Sequence, residues 1–426
     1  MIKKLFSHAS VKNSFWIISE RIIQMLISFI LTMITARYLG PSNYGVLNYG
    51  LSFVTFFAAV TKLGLDSILV NELINNNKDG IILGTSLLLR LVSSLLSIVI
   101  IFLCVFILNF DNRLIIITTM LQSISLIFQA INIFDFWFQK DLKSKYVSIS
   151  KIIAYFIASA YKVFLLINKF SVELFALSNV IDYFIICILL KFFYTKQGGE
   201  KLTFNIIEGK RLLKNSYHFI ISSIMVLVYT QIDKIMIGNM IDEANVGIYS
   251  AALTIYYGLG FIPDAIITSA RPTIYNAKKE SKSKYMIRIK QFFCLLFYIC
   301  ISLTILVSLF SRFGISILFG EAYSEAVIPL VLLMISLPFS QIGNGRSIWI
   351  VSENLNKYTK RYLGIGAVIN VVLNYFLIQR YGIIGAAMAT LITEIFVGMI
   401  SPLLFKETRM FPKLVVDGIF FKFNKS

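Results

Sequence analysis

Twelve stretches of the chain stay apolar for about 20 residues or more, the length a helix needs to cross a bilayer. They are roughly 14–38, 46–70, 81–108, 114–138, 146–167, 173–193, 215–240, 246–271, 287–310, 326–351, 358–378 and 383–405. None alternates apolar and polar residues as the short strands of a membrane barrel do, so each is predicted to be helical. Gly40-Pro41-Ser42-Asn43-Tyr44-Gly45 reads as a tight turn between the first two, because Gly and Pro punctuate helices. The first stretch is too long for the core of a cleaved leader, and Thr35-Ala36-Arg37 follows it instead of a small-residue cleavage site.

Polar residues inside these stretches fall in lines. Asn48, Ser52, Thr55, Ala59, Lys62 and Asp66 recur at helical spacing down one face of the second helix. The third carries Ser86, Arg90, Ser93 and Ser97; the fourth Gln122, Ser125, Gln129, Asn132 and Asp135; the fifth Ser148, Lys151, Tyr155, Ser159 and Lys162. Unpartnered polar groups in hydrocarbon cost several kcal/mol each. The stripes must therefore bond one another as interhelical glue or line a wet cavity, and the full charges among them favour the cavity.

Six stretches precede the basic segment 195–214 and six follow it. The expected organisation is an N-terminal six-helix lobe at 1–194, a cytoplasmic linker at 195–214, a C-terminal six-helix lobe at 215–405 and a cytoplasmic tail at 406–426. An even number of helices per half keeps both halves in one orientation and permits a parallel repeat. Aligning Gly45 of Tyr44-Gly45-Val46 with Gly247 of Val246-Gly247-Ile248 lays the second-helix stripe over Ser250, Thr254, Tyr257, Phe261, Asp264 and Thr268. That face is largely polar in both halves. The fold class is thus all-α: a polytopic membrane protein of twelve transmembrane helices in two six-helix lobes around a central cavity.

Composition supports the same class. Apolar residues make up 57% and charged residues 15%, against roughly a quarter charged in ordinary soluble domains, and the mean hydropathy is +0.79. This excludes a disordered chain, a secreted disulfide scaffold and a soluble enzyme. The net charge of +18 would suit nucleic-acid binding, but its distribution argues otherwise. With the N-terminus in the cytoplasm, and helix ends counted with the loops they meet, 28 of the 40 Lys and Arg fall on the cytoplasmic side. Five fall outside: Arg37, Arg113, Lys169, Arg312 and Arg380. The surplus is the positive-inside signal, plus attraction for anionic headgroups. Both termini are expected in the cytoplasm, and nucleic acid is not an expected partner. The four cysteines all lie in apolar stretches, and His8 and His218 lie near the cytoplasmic face, so no disulfide framework or metal site is expected. No Walker A, dinucleotide-binding fingerprint or Asp-x-Asp pair occurs.

Three segments carry a resemblance: Thr35-Ala36-Arg37-Tyr38-Leu39-Gly40-Pro41-Ser42-Asn43-Tyr44-Gly45; Asp233-Lys234-Ile235-Met236-Ile237-Gly238 with Val246-Gly247-Ile248-Tyr249-Ser250-Ala251-Ala252; and Gly385-Ala386-Ala387-Met388-Ala389-Thr390. Together they resemble the O-antigen, or lipid-linked oligosaccharide repeat-unit, flippases of the multidrug/oligosaccharidyl-lipid/polysaccharide exporter superfamily. The resemblance implies a V-shaped pair of bundles around a central cavity, working by alternating access in the bacterial inner membrane. It implies no cofactor and no catalytic residue. The expected partners are a lipid-linked oligosaccharide, membrane lipids, Na⁺ or H⁺ as coupling ion, and the polysaccharide polymerase machinery.

The physics of such a cargo selects candidate residues. Each sugar hydroxyl costs about 4–8 kcal/mol to move into an alkane-like medium without partners, so the glycan needs a polar path. Ser52, Thr55, Gln122, Gln129, Tyr155, Thr254 and Tyr257 are the candidates for it, and Tyr229 and Tyr256 could stack on sugar faces. The linking diphosphate needs cations, for which Arg90, Lys62, Lys234 and Arg346 are candidates. Arg90 is the foremost, since no acid stands at helical spacing in its own stretch. Asp264, Glu394 and Asp66 are candidates for cation coupling. Rival readings are a drug/cation antiporter or a peptidoglycan-precursor flippase of the same superfamily, and a membrane O-antigen polymerase or ligase. The longest external connection, 311–325, is short for an enzyme of that last kind.

Overall fold

The computed structural model describes residues 8–76 and 78–423, and helices make up nearly all of it, with no strand among the described residues. The helices are α1 (His8–Thr61), α2 (Leu69–Asn75), α3 (Asp79–Leu108), α4 (Arg113–Ser123), α5 (Ser125–Gln129), α6 (Ile133–Lys140), α7 (Ser144–Ile167) and α8 (Val172–Lys196). After them come α9 (Ile206–Met240), α10 (Glu243–Glu280), α11 (Lys282–Phe319), α12 (Val327–Ser352), α13 (Lys357–Ile395) and α14 (Met410–Ile419). Nine segments among the described residues are long and apolar enough to span a bilayer, and α9 makes ten. Two of these, α1 and the segment that begins with α13, are divided by Gly40 (φ 70°) and Gly382 (φ 59°), conformations that glycine adopts without steric cost. The arrangement is consistent with twelve crossings. The chain is a multi-pass membrane protein.

Three predicted stretches end or break where their chemistry demands. The second was expected to run to residue 70, but the helix stops at Thr61. Leu63 and Gly64 take positive φ, and a short 3₁₀ turn, Leu65–Ser67, follows. At Gly64 an added Cβ would stand 2.6 Å from the Ser216 carbonyl oxygen of α9, so that close approach requires glycine. The fourth stretch is broken into α4, α5, a 3₁₀ turn at Ala130–Asn132 and α6. The last relaxes into a π-helical turn, Phe396–Ile400, and a 3₁₀ turn, Ser401–Leu404. Pro263 lies within α10, which runs on to Glu280.

Breaks inside a bilayer free backbone groups that must find partners. Near the α4–α5 break, the Ser94 hydroxyl of α3 donates to the Leu126 carbonyl at 3.0 Å. Pro338 in α12 has no N–H for the Met334 carbonyl one turn back. There the Thr304 hydroxyl of α11 reaches across at 2.6 Å.

Contacts divide the chain into two compact units, Met1–Leu227 and Val228–Ser426, with the division inside α9. The first unit has an aromatic and aliphatic core of Leu69, Leu73, Leu83, Phe134, Trp137, Phe138 and Tyr194. The segment 195–214 is fastened to it. The Glu200 side chain accepts from Gly80 N at 2.6 Å, Thr203 N donates to Gly80 O at 3.1 Å, and Arg211 Nη2 lies 2.6 Å from Glu72 Oε2. Residues 206–214 are already the first turns of α9, capped by Asn205, whose side chain accepts from Ile207 N and Glu208 N. In the second unit α10, α11, α12 and α13 pack together, and α14 lies on α11. Phe411, Leu414 and Val415 form the buried face of α14, and Lys290 of α11 holds Asp417 at 3.2 Å.

Candidate functional site

At the end of α1, Asp66 stands between two cations. Lys62 Nζ is 3.4 Å from Asp66 Oδ2, and the Arg90 guanidinium of α3 donates to Oδ1. Arg90 is only 2% exposed, whereas the Lys62 side chain is 49% exposed. One carboxylate thus balances one of two cations, and the accessible bearer of the surplus positive charge is Lys62. Arg90 does have an acidic partner, on another element, and its buried guanidinium also lies 5.8 Å from the Phe136 ring. Asp66 is engaged by both cations.

The second unit contains a cluster that the sequence stripes did not single out. Asp233 of α9 is 6% exposed. Its Oδ1 accepts from Asn374 Nδ2 at 2.7 Å; its Oδ2 accepts from Thr390 Oγ1 at 2.9 Å and from Tyr249 Oη at 3.1 Å. The Asn374 amide also donates to Asn370 Oδ1 at 3.0 Å, and Asn374 Oδ1 is buried without a partner. Among the described residues no Lys or Arg comes within 4.0 Å of Asp233. A buried carboxylate held by neutral groups, beside a spare amide oxygen, has the oxygen donor set that a hard cation or a proton takes. Asn370 and Asn374, one helical turn apart in an apolar stretch, were the legible signal. No group of three or more His, Cys, Asp or Glu side chains among the described residues is placed to hold a metal.

The other predicted residues are distributed as follows. Arg346 is buried in α12, donates to the Val397 carbonyl of the π-turn at 2.6 Å and lies 4.2 Å from the Tyr362 ring; it is committed to packing there. Lys234 is partly buried beside Asp233 on α9. Glu394 is buried on α13, one turn beyond Thr390, within electrostatic reach of Tyr256 and Tyr257. Asp264 is exposed and lies near Gln341. Tyr257 is 53% exposed and meets Tyr256 edge-on at 5.3 Å; the side chain of Tyr229 lies outside the described residues.

The stripes divide between the two expected roles. Ser52 and Thr254 turn their hydroxyls back to Asn48 O and Ser250 O of their own helices. Gln129 bonds Ser125 of its own helix at 3.3 Å, while Lys151 bonds Asp135 at 3.1 Å and Ser148 bonds Glu20 at 3.2 Å across helices, which is glue. Tyr155 lies against Ser28 and Ser159. Thr55 stays partly exposed. Gln122, with Lys162 of the fifth stripe, lines a half-open pocket of about 210 Å³ in the first unit.

Comparison with known proteins places this geometry. The profile of the family described as "Polysaccharide biosynthesis protein" matches residues 10–274. A protein of Shigella flexneri named as an O-antigen transporter is 25% identical over 396 residues, covering 89% of this chain and 93% of its own. A capsular polysaccharide biosynthesis protein of Staphylococcus aureus is 24% identical over 402 residues, covering 92% and 98%. Among solved structures, the lipid II flippase MurJ in an inward closed conformation superposes with a TM-score of 0.75 at 16% identity, covering 97% of this chain and 92% of that one. An inward-facing multidrug resistance MATE family transporter of the MOP superfamily gives a TM-score of 0.69 at 12% identity, covering 92% and 96%. The chain therefore has the fold of these transporters, and by its sequence it belongs to the polysaccharide biosynthesis protein family.

Proposed function

We propose that the protein is a flippase, a transporter and not an enzyme, for a polyprenyl-diphosphate-linked oligosaccharide repeat unit. It moves that unit from the cytoplasmic to the external leaflet of a bacterial inner membrane by alternating access, for O-antigen or other surface polysaccharide synthesis. Both termini face the cytoplasm in this reading. Full-length similarity to an O-antigen transporter supports it. The observation that carries it is the surplus cation at Lys62, held by the Asp66–Arg90 pair. A diphosphate crossing an apolar protein needs an accessible cation, and an ammonium serves as a mobile point charge. Arg90 then acts as a positioning residue behind Lys62.

Coupling belongs to the second unit in this reading. Asp233, Asn374 and Thr390 would take Na⁺ or H⁺, and the inside-negative potential adds roughly 2.3 kcal/mol per charge per 100 mV for an anionic headgroup moving outward.

The test is the fate of lipid-linked glycan in cells lacking the protein. Intermediates should accumulate on the cytoplasmic leaflet, shielded in intact spheroplasts from an externally added glycan-modifying enzyme, and should become accessible when the protein is restored. Normal surface polysaccharide together with gained sensitivity to cationic drugs would favour the antiporter reading. Arrest of cell-wall synthesis would favour a peptidoglycan-precursor flippase. Accumulation of fully translocated but unpolymerised units would favour a polymerase.

A further inference from the structure

The exposed surface of α11 records where the bilayer begins. From Lys282 to Cys294 its exposed residues are Lys282, Ser283, Lys284, Arg288 and Gln291, all polar. From Leu295 onward large apolar side chains are exposed, among them Ile305, Leu309, Phe313 and Ile317. Arg312 lies within snorkelling reach of the far end. Leu295 to Ile317 is about 33 Å of helix at ~1.5 Å per residue, close to the roughly 30 Å of a hydrocarbon core. The edge near Leu295 is the one that meets the C-terminal segment, the cytoplasmic edge under the flippase reading.

The segment around α14 is fastened across that edge. The Phe411 ring meets Phe293 at 5.3 Å, Lys290 Nζ donates to the Lys422 carbonyl at 3.0 Å, and the Tyr298 hydroxyl donates to the Ile419 carbonyl at 3.2 Å. Phe421 stacks at 5.6 Å on Tyr298, itself an exposed residue of the apolar band. With Phe411, Leu414 and Val415 turned inward, Val416, Phe420 (65% exposed) and Phe421 (61%) are left outside. Interleaved with them are four exposed cations, Lys406, Arg409, Lys413 and Lys422. The acids between residues 405 and 423 are Glu407 and Asp417, and Lys290 holds Asp417 at 3.2 Å. Bare phenyl rings that continue the lipid-facing surface of α11 belong among acyl chains, while lysine stems carry their charges up to the headgroups. A second copy of the chain would set the same basic charges against these, and like charges repel. Zwitterionic headgroups leave the surplus positive charge unanswered; anionic ones balance it.

We infer that α14 and its flanks form a binding surface for anionic phospholipid, with Phe420 and Phe421 in the acyl region and the four cations on the headgroups. Phe411 joins this surface to the interior. It packs on Trp349 at 5.4 Å and lies 5.6 Å from Arg346, which holds the Val397 carbonyl of the π-turn. The test places full-length Phe420→Trp protein in nanodiscs of phosphatidylcholine with a minor share of phosphatidylglycerol. The added indole is read by difference from the native protein, and Phe421→Trp supplies a second reporter. A doxyl quencher near the headgroup should act at least about twofold more strongly than one near the chain end. The shallow quencher should also act at least about twofold more strongly when carried on phosphatidylglycerol than on phosphatidylcholine. Lys406→Gln/Lys413→Gln/Lys422→Gln on this background should lose the headgroup preference and keep the depth preference. Arginine at the same three positions should keep both.

An added indole that neither quencher reaches, or that the deep one quenches more, overturns the inference. Equal quenching from the two headgroups reduces the surface to ordinary lipid contact and overturns it too, as does a headgroup preference that survives the triple glutamine variant. Quenching that vanishes when discs carry two copies would put a second copy of the chain on this face instead. None of these results depends on what the protein translocates, so the surface and the flippase reading can fail separately.

Discussion

The Lys62–Asp66–Arg90 cluster assigns different work to its two cations. Arg90 is buried against a carboxylate and Lys62 is not. Arg90→Ala therefore removes a charge-assisted bond and should destabilise the first unit by about 1–3 kcal/mol, lowering the melting temperature in detergent along with transport. Lys62→Gln should abolish most transport while leaving the melting temperature within a degree or two. If Arg90→Ala melts like the native protein, the positioning role is wrong. The same contrast applies at Asp233, where Asp233→Asn keeps the shape and most of the hydrogen bonds. It should remove any dependence of thermal stability on Na⁺ concentration or on pH. For a cation-binding native protein, stability rises with the bound ion by linkage, and a native melting curve indifferent to both Na⁺ and pH would dismiss Asp233 as the coupling site.

At the level of helices, most of the fold was legible because about 20 apolar residues in a row leave the backbone one choice in lipid. What was not legible is where helices break. Nothing in the Asn48–Asp66 stripe announces the stop at Thr61; it follows from α9 pressing on Gly64, a contact between segments about 150 residues apart. The candidate site was legible in part for a similar reason. Helical spacing within one stretch found Lys62 and Asp66, but the partner of Arg90 comes from outside its own helix. The Asp233 cluster draws on α9, α10 and α13, and no local period can show that. Thr304→Val tests how these long-range bonds hold a helix. It strands the Met334 carbonyl and should cost about 0.6–1.7 kcal/mol, the range of membrane interhelical hydrogen bonds, measured as a shift in an SDS unfolding midpoint.

For the molecule as a whole, the basic segment after α8 behaves as part of the first unit and not as a loose tether. Glu200, Thr203 and Arg211 fasten it to Gly80 and Glu72. Lys201 and Lys210 are already exposed, so the Glu200→Ala/Arg211→Ala double variant should loosen the backbone around them and let trypsin cut there several times faster than in the native protein. Unchanged proteolysis would mean that those bonds do not secure the segment.

The hydroxyl that Thr304 lends to the Met334 carbonyl has a mechanical consequence. Pro338 leaves that oxygen bare, and in oil there is no water to take the donor's place. Sliding α12 along α11 by even one residue would strip the oxygen of that cross-strut, so the two helices are keyed in register like a bolt in its slot. Whatever strokes the transporter makes, this pair should travel through them as one plank.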